Sequence, residues 1–366
     1  MTTPTPTTSP DAAAGAGAAR GLPASPLLDV SGAVPAEGPD AGVAWHYGDP
    51  VREQRRLEAG EAAVDLSHRG VVRVTGPDRL SWLNSLTTQA LIDTPPGVAR
   101  EALILSPHGH VEHDLHLVDD GTTVWITVEP GTVDAVRDWL DRMRFMLRVE
   151  VADVTRAWAA VGAAPALALQ LHQAVAEGAP PVWTDPWPAL GASTASYAAV
   201  DEADHPGRER AFAEVLVPRA RLAEVVAGVP PAGTWAAEAR RVAAWRPRLG
   251  LETDHRTIPH EVDWLRTAVH LAKGCYRGQE TVARVHNLGR PPRRLVFLHL
   301  DGSQHTLPAH GDPVALGDRR VGFVTSAARH HELGPVALAL VKRSTPADVQ
   351  LTAGGVAAAQ ELVVAP

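Results

Sequence analysis

The chain has 366 residues, 45% of them hydrophobic and 21% charged, with a formal net charge of -8. That composition is ordinary for a globular protein large enough for two or three domains, and its mild acidity argues against a general duplex-binding face. The single cysteine, Cys275, excludes an intramolecular disulfide and any zinc or iron-sulfur site built from this chain's thiolates alone, and fits a reducing, cytoplasmic setting.

Residues 1–40 are rich in Thr, Pro, Ala and Gly and lack a cationic start followed by an apolar stretch, so they read as a disordered leader and not a secretory signal. No apolar run approaches the roughly 18 residues of a membrane span. Folded sequence is expected from near Trp45, beginning with a charged helix over 51–59 stopped by Gly60. A strand at 71–74 leads into T-x-x-D, where Thr75 and Asp78 are spaced to cap the next helix reciprocally. Leu80, Leu83 and Leu86 then form its buried stripe. Residues 101–128 read as a three-stranded meander with turns at PHGH and DDGT. Period two puts Val111, His113, Leu115 and Leu117 on one face and Glu112, Asp114 and His116 on the other, aiming Asp114 at solvent or a cleft. A helix over 133–143 and a strand over 145–151 complete an α+β unit.

A second α+β unit is expected over 157–229, with strands near 157–161, 196–200 and 213–217 and a helix at 220–227. Within it, Trp183 and Trp187 read as loop-to-core staples in a proline-rich loop. Residues 234–245 form a helix on composition. After Arg290, short apolar strands at 295–300, 313–316, 321–325, 336–341 and 357–364 alternate with Gly, Asp and Pro, the pattern of a small β-barrel or sandwich.

The stretch with the most chemistry is Lys273-Gly274-Cys275-Tyr276-Arg277-Gly278-Gln279-Glu280. From Lys273 to Arg294 six Lys or Arg face one Glu, a local +5 that suggests an anion-binding surface; an RNA-binding reading would use Arg290, Arg293 and Arg294. Gly274 and Gly278 permit close backbone approach or positive φ. A helical run from Gln279 places Cys275 just ahead of a helix N-terminus beside Lys273 and Arg277, where a thiolate is favoured; the inert alternative is a small buried hydrophobe. Gln279 and Glu280 suit a heterocycle edge, or Glu280 pairs with Arg284 along the helix. Asp114 is the candidate general base. His108, His110, His113 and His116 alternate in face and give no complete metal-ligand spacing.

The run KGCYRGQETVAR resembles the signature of the YgfZ family of folate-binding proteins, which includes mitochondrial iron-sulfur assembly factors and is akin to the aminomethyltransferase (T-protein) of the glycine cleavage system. SHRGVVRVTGPDRLSWLNSLTTQ (67–89), LILSPHGHVEHDLHL (103–117) and RPRLGLETDHRTIPHEVDWL (246–265) are similar to other family segments. The resemblance implies an α+β protein folded as a three-domain ring. Residues 41–155 and 156–290 would be its two α+β domains and 291–366 its C-terminal β-barrel, around a central cavity that accepts tetrahydrofolate or a one-carbon derivative. It further implies a role in assembly or repair of iron-sulfur enzymes, including those of tRNA modification, with iron-sulfur client or assembly proteins, and tRNA, as partners. Lys273, Cys275, Gln279, Glu280 and Arg284 carry over from the signature, with Cys275 as a redox or one-carbon-accepting thiol. Tyr276, Glu261 and Trp264 join them as candidate folate contacts. The aminomethyltransferases carry adjacent aspartates in the hairpin; here His113 precedes Asp114, and a neutral imidazole does not supply the same fixed charge. A folate-dependent transferase with Asp114 as base is therefore the rival reading, and an RNA-binding module the third.

Overall fold

β-branched runs broken by turn residues, alternating with apolar-striped helices, sort this chain into two five-stranded sheets and a barrel. The computed structural model describes residues 21–175 and 178–366. A small ribbon, β1 (Val34–Pro35) with β2 (Ala44–His46), precedes helix α1 (Pro50–Glu58). Asp49 caps α1 by accepting from the Arg52 amide, and Gly60 turns the chain away with φ of 74°. Next come β3 (Ala63–Asp65), β4 (Gly70–Thr75), α2 (Arg79–Leu86), the meander β5 (Ala99–Leu105), β6 (Val111–Asp119) and β7 (Thr123–Val128), then α3 (Val133–Arg142) and β8 (Glu150–Asp153). An antiparallel sheet of order β5-β6-β7-β4-β8 results. Leu115, Leu117 and Ile126 on one of its faces bury against Leu83 of α2 and Leu140 of α3.

The chain continues through β9 (Trp158–Ala163), α4 (Pro165–Val175), β10 (Trp183–Thr184), β11 (Ala213–Pro218), α5 (Leu222–Val225) and β12 (Pro231–Ala232). These strands and β3 make the second sheet, β10-β11-β9-β3-β12, parallel only between β3 and β12. Helices α6 (Thr234–Ala243), α7 (Leu265–Ala268) and α8 (Gln279–Leu288) lead to the barrel strands β13 (Arg293–Leu300), β14 (Pro313–Leu316), β15 (Arg319–His330), β16 (Gly334–Lys342), β17 (Gln350–Ala353) and β18 (Val356–Leu362). The barrel closes in the order β13-β16-β15-β14-β17-β18. Alternation splits β13 as the pleat requires: Val296 and Leu298 fill the barrel, while Leu295 and Phe297 join the core built with α6 and Trp245. No described helix is long and apolar enough to cross a membrane.

Several expectations are corrected. Residues 1–20 lie outside the described residues, but 21–40 are not a featureless leader: Leu27 packs into the second unit's core and Asp40 pairs with Arg248 at 2.7 Å. β3 precedes residue 155 yet belongs to the second sheet, so the first boundary does not separate the sheets. The Thr75–Asp78 box does not form: the helix starts at Arg79, and the Asp78 carboxylate accepts from the Arg148 amide and guanidinium, charge-assisted bonds, instead of from the Thr75 backbone N–H. Residues 145–147 form an exposed turn with Phe145 at φ of 48°, and the strand starts only at Glu150. Residues 196–200 contribute one bridge, Ala198 to Val364. Both loop tryptophans are buried, with indole N–H groups donating to the Arg100 and Ala244 carbonyls.

Candidate functional site

The signature loop is held by two glycines in contact. Gly278 caps α8 with φ of 82°, and a Cβ there would lie 2.6 Å from the Ser106 carbonyl oxygen. Gly109, in the β5–β6 turn at φ of 79°, would bring its own Cβ to 2.7 Å from that of Thr281. Nothing lies within 4 Å of a Cβ built at Gly274. We therefore expect Gly278→Ala to lower stability by roughly 1–3 kcal/mol through left-handed strain and overlap, and Gly274→Ala to stay within about 0.5 kcal/mol. Thermal unfolding of the two variants checks this; equal effects would refute the interlock.

Around this loop the predicted basic surface dissolves. Lys273 Nζ donates to the carbonyls of Asn84, Thr87 and Gln89, satisfying the orphan acceptors at the end of α2. Burial pulls its ammonium down to about 8. Arg277 pairs with Glu112 at 3.1 Å. Arg293 is drawn to Asp254 and Glu261, at 2.6 and 2.7 Å, and the buried Arg294 donates to the Arg343 and Thr345 carbonyls. Of these six cations, only Arg284 and Arg290 are exposed without a carboxylate partner among the described residues, so a linear charge count overstated the patch. Glu280 is exposed and does not pair with Arg284; Tyr276 is a core residue, its hydroxyl pushed up to about 12 by burial. Cys275 is exposed, contrary to the inert buried alternative.

A cavity of about 550 Å³ opens beside the loop, between the α2–β5 connection and residues 186–192. Arg100, Glu101, His270 and Lys273 line it, with Ile92 and Leu190 as apolar wall; Gln279, Glu280 and Arg284 do not reach it. Glu101 is fully buried, accepts from Trp264 Nε1 at 2.8 Å and from Thr267 Oγ1, and pairs with Arg246 at 2.6 Å. Burial raises its pKa, Arg246 opposing and Asp114 adding to the rise. Trp264 lies behind Glu101 with no exposed surface, so it cannot stack a ligand. Glu261 is likewise spent, gripped by Arg293 through both oxygens. By contrast, among the described residues Arg100 donates only to the Ala99 carbonyl, and the buried Nδ1 of His270 has no partner.

Behind that wall the sheets meet across charge. Asp114 and His116, on the face of β6 opposite its leucines, turn not to solvent but to β11, and both are buried. His116 lies flat on Trp183, centroids 3.8 Å apart at 2°, with Nδ1 3.1 Å from Glu214 and Nε2 3.3 Å from Asp114. Nδ1 is hydrogen-bonded to Glu214 and Nε2 has the Asp114 carboxyl against it, so two acidic groups favour the imidazolium over the neutral ring. Burial alone would pull it down; Glu214 and Asp114 carry it up to about 10. Glu214 in turn sits at about 2, His116 and Arg69 prevailing over burial. The pairing continues through Arg69 to Glu129 (3.1 Å), Arg248 (2.8 Å) and Asp40 (2.7 Å), and Asp40 lines a second cavity of about 760 Å³. Sequence reasoning singled out none of Arg69, Glu101, Glu214, Arg246 or Arg248. The available signal was a lone charge inside an apolar strand, as in EALIL and AEVLV.

Comparison with known proteins agrees with this architecture. The model for the GCVT N-terminal domain matches residues 38–180, and that for the Glycine cleavage T-protein C-terminal barrel domain matches residues 293–365. The chain is 30% identical to the aminomethyltransferase of Synechococcus elongatus over 294 residues, 75% of this chain and 76% of that one. It is 26% identical to the aminomethyltransferase of Moorella thermoacetica over 313 residues, 82% and 83% of the two chains. The crystal structure of glycine cleavage system aminomethyltransferase T from Bartonella henselae superposes with a TM-score of 0.71 at 18% identity, covering 93% of this chain and 95% of that one. One antiparallel and one mixed five-stranded sheet, a closed six-stranded C-terminal barrel and this sequence similarity together place the chain in the aminomethyltransferase (GCVT) family.

Proposed function

We propose that this protein binds a reduced folate in the cavity walled by Glu101 and Lys273 and acts as an accessory factor of the YgfZ type, supporting assembly or repair of iron-sulfur enzymes, including those of tRNA modification. The observation that carries the reading is the state of Asp114. The carboxylate a transferase would use as base is buried behind Glu101 and tied to His116, and its neighbour His113, lowered to about 4 by burial, is a neutral imidazole at pH 7. Such a site favours holding a folate over exchanging protons with it. The cavity volume falls in the range of roughly 300–1,000 Å³ usual for small-molecule sites. Arg100 offers a guanidinium without a carboxylate partner to the anionic tail of the ligand. Cys275 stands exposed at the start of the signature, open to an oxidant or a partner protein.

Calorimetric titration with tetrahydrofolate and its methylene and formyl forms tests the reading, and absence of binding to all three overturns it. Replacing Arg100 by alanine is expected to weaken binding about tenfold or more, as for loss of a charge-assisted hydrogen bond worth roughly 1.5–3 kcal/mol, with a matching loss of salt sensitivity. Turnover of an aminomethyl donor that disappears in Asp114→Asn would establish the transferase reading in its place. The iron-sulfur role predicts that a null strain, low in iron-sulfur enzyme activity under oxidative stress, recovers with the wild-type chain and not with Cys275→Ser.

A further inference from the structure

Away from the cavity, at the contact of α1 with the β15–β16 hairpin, a second group of side chains converges. Glu58 ends α1, and His331 and Glu332 form the hairpin turn; one ligand atom from each lies within 4.8 Å of the other two. The hairpin is fixed in place by Gln54, whose amide donates to the Arg329 carbonyl and whose oxygen accepts from the His331 backbone N–H. His331 itself is unusual. Its side chain is 3% exposed, yet neither ring nitrogen has a hydrogen-bond partner among the described residues. Leaving such a group unsatisfied carries its full desolvation penalty.

The position of Glu58 accounts for this. Its Oε2 lies 3.0 Å from His331 Nε2, but off the line a ring N–H would take, so that the pair is close without being hydrogen-bonded. That is the relation of two ligands aimed at a common point. Donors about 2.0–2.2 Å from one ion are separated by roughly 2.8–3.1 Å at a right angle and roughly 3.3–3.6 Å at the tetrahedral angle, and each directs its lone pair at the ion, not at the other donor. Glu332 is exposed and free to swing inward as the third ligand, with water completing the shell. The Glu101, Asp114 and His116 group also brings three ligand atoms together, but there His116 already bridges two carboxylates and Arg246 already neutralises Glu101, leaving no demand for a cation.

We propose that Glu58, His331 and Glu332 bind a divalent first-row transition ion of the zinc type, which pins the barrel hairpin to α1. One imidazole with two carboxylates selects against magnesium and calcium, whose shells are built from oxygen. Two carboxylates supply the charge needed to outweigh Arg240, the nearby cation whose charge reaches Glu58 and His330. The neighbouring His330 is already used: its Nδ1 accepts from the Glu332 and Leu333 amides.

The test uses the full-length chain without a histidine tag, in a Cys275→Ser background so that the exposed thiol cannot take the metal. Zinc is titrated calorimetrically after chelator treatment, and cobalt is followed by its visible absorption. One saturable site is expected, with zinc raising the melting temperature. Glu58→Gln and His331→Gln should each weaken it by about tenfold or more and abolish the thermal shift, whereas the exposed His299→Gln on the barrel should leave it unchanged. If His331→Gln fails to fold, the exposed Glu58→Gln and Glu332→Gln decide. No saturable binding, or binding undiminished in the Glu58 and Glu332 variants, overturns the proposal.

Discussion

Replacing Arg248 by methionine is expected to cost about 3–5 kcal/mol of folding stability, the penalty of stripping a buried cation from its partners. Arg248 holds Glu129 at 2.8 Å, Asp40 at 2.7 Å and Glu238 at 3.2 Å, and is itself buried. Three carboxylates drawn from the N-terminal segment, the end of β7 and α6 would lose their shared counter-charge at once. The pH dependence identifies the cause. Burial would raise Asp40 and Glu129; Arg248 foremost, with His68 on the one and Arg69 on the other, holds both below their ordinary values of 3.8 and 4.5. Carboxylates depressed in the folded state contribute stability that is fully present above those ordinary values and is lost as pH falls toward the folded ones. Wild type and variant should therefore differ fully above about pH 5 and converge on acidification. Guanidinium unfolding at pH 7, 5 and 3 reads the effect. A loss below about 1 kcal/mol, or one that does not shrink in acid, would mean that the ion-pair chain carries little. Adding Asp40→Asn to Arg248→Met should cost less than the sum of the single changes, since the two residues share one interaction.

The limits of reading this chain from sequence follow from the same chain of charges. Period two correctly separated Leu115 and Leu117 from Asp114 and His116, but Val111, expected on the leucine face, lies beyond a β-bulge in the core built with Leu103 and Leu105. What covers the second face is not a local property. The β11 strand that supplies Glu214 lies about a hundred residues downstream, so Asp114 was expected at solvent or in a cleft and is instead walled in. The barrel was legible because each strand is bounded by Gly, Asp or Pro, whereas α4 was missed, its apolar ALALQL run carrying little face-to-face contrast. At the signature the glycine logic held for Gly278, whose positive φ and contact with Gly109 leave no room for a side chain. The charge logic failed there, since a count of cations says nothing about which are folded beneath the barrel. Lys273 shows the difference: adjacency to Cys275 suggested a tuned thiol, but its ammonium is turned the other way, into the carbonyls that end α2.

Replacing His116 by phenylalanine keeps a flat ring on Trp183 and removes the charge between Asp114 and Glu214, leaving Glu214 to Arg69 and Asp114 with no cation in contact. A loss of about 3–5 kcal/mol at pH 6 is expected, comparable to breaking other buried pairs. The sign is opposite to that for Arg248. His116 is raised from 6.5 to about 10 by its two carboxylates in spite of burial, so its contribution is fully present below the unfolded value and declines as pH climbs through the folded one. The gap between wild type and variant should stay constant through mildly acid pH, narrow from about pH 7 and nearly close by about pH 10. Lysines and tyrosines titrate in both proteins and cancel in the difference. Nitrogen-resolved NMR of the imidazole gives an independent reading, with both ring nitrogens protonated at pH 7. A gap that does not change between pH 6 and 10 would mean a neutral ring. One of the carboxyls would then have to carry the proton, and Asp114 would again be a candidate for proton transfer at the back of the cavity.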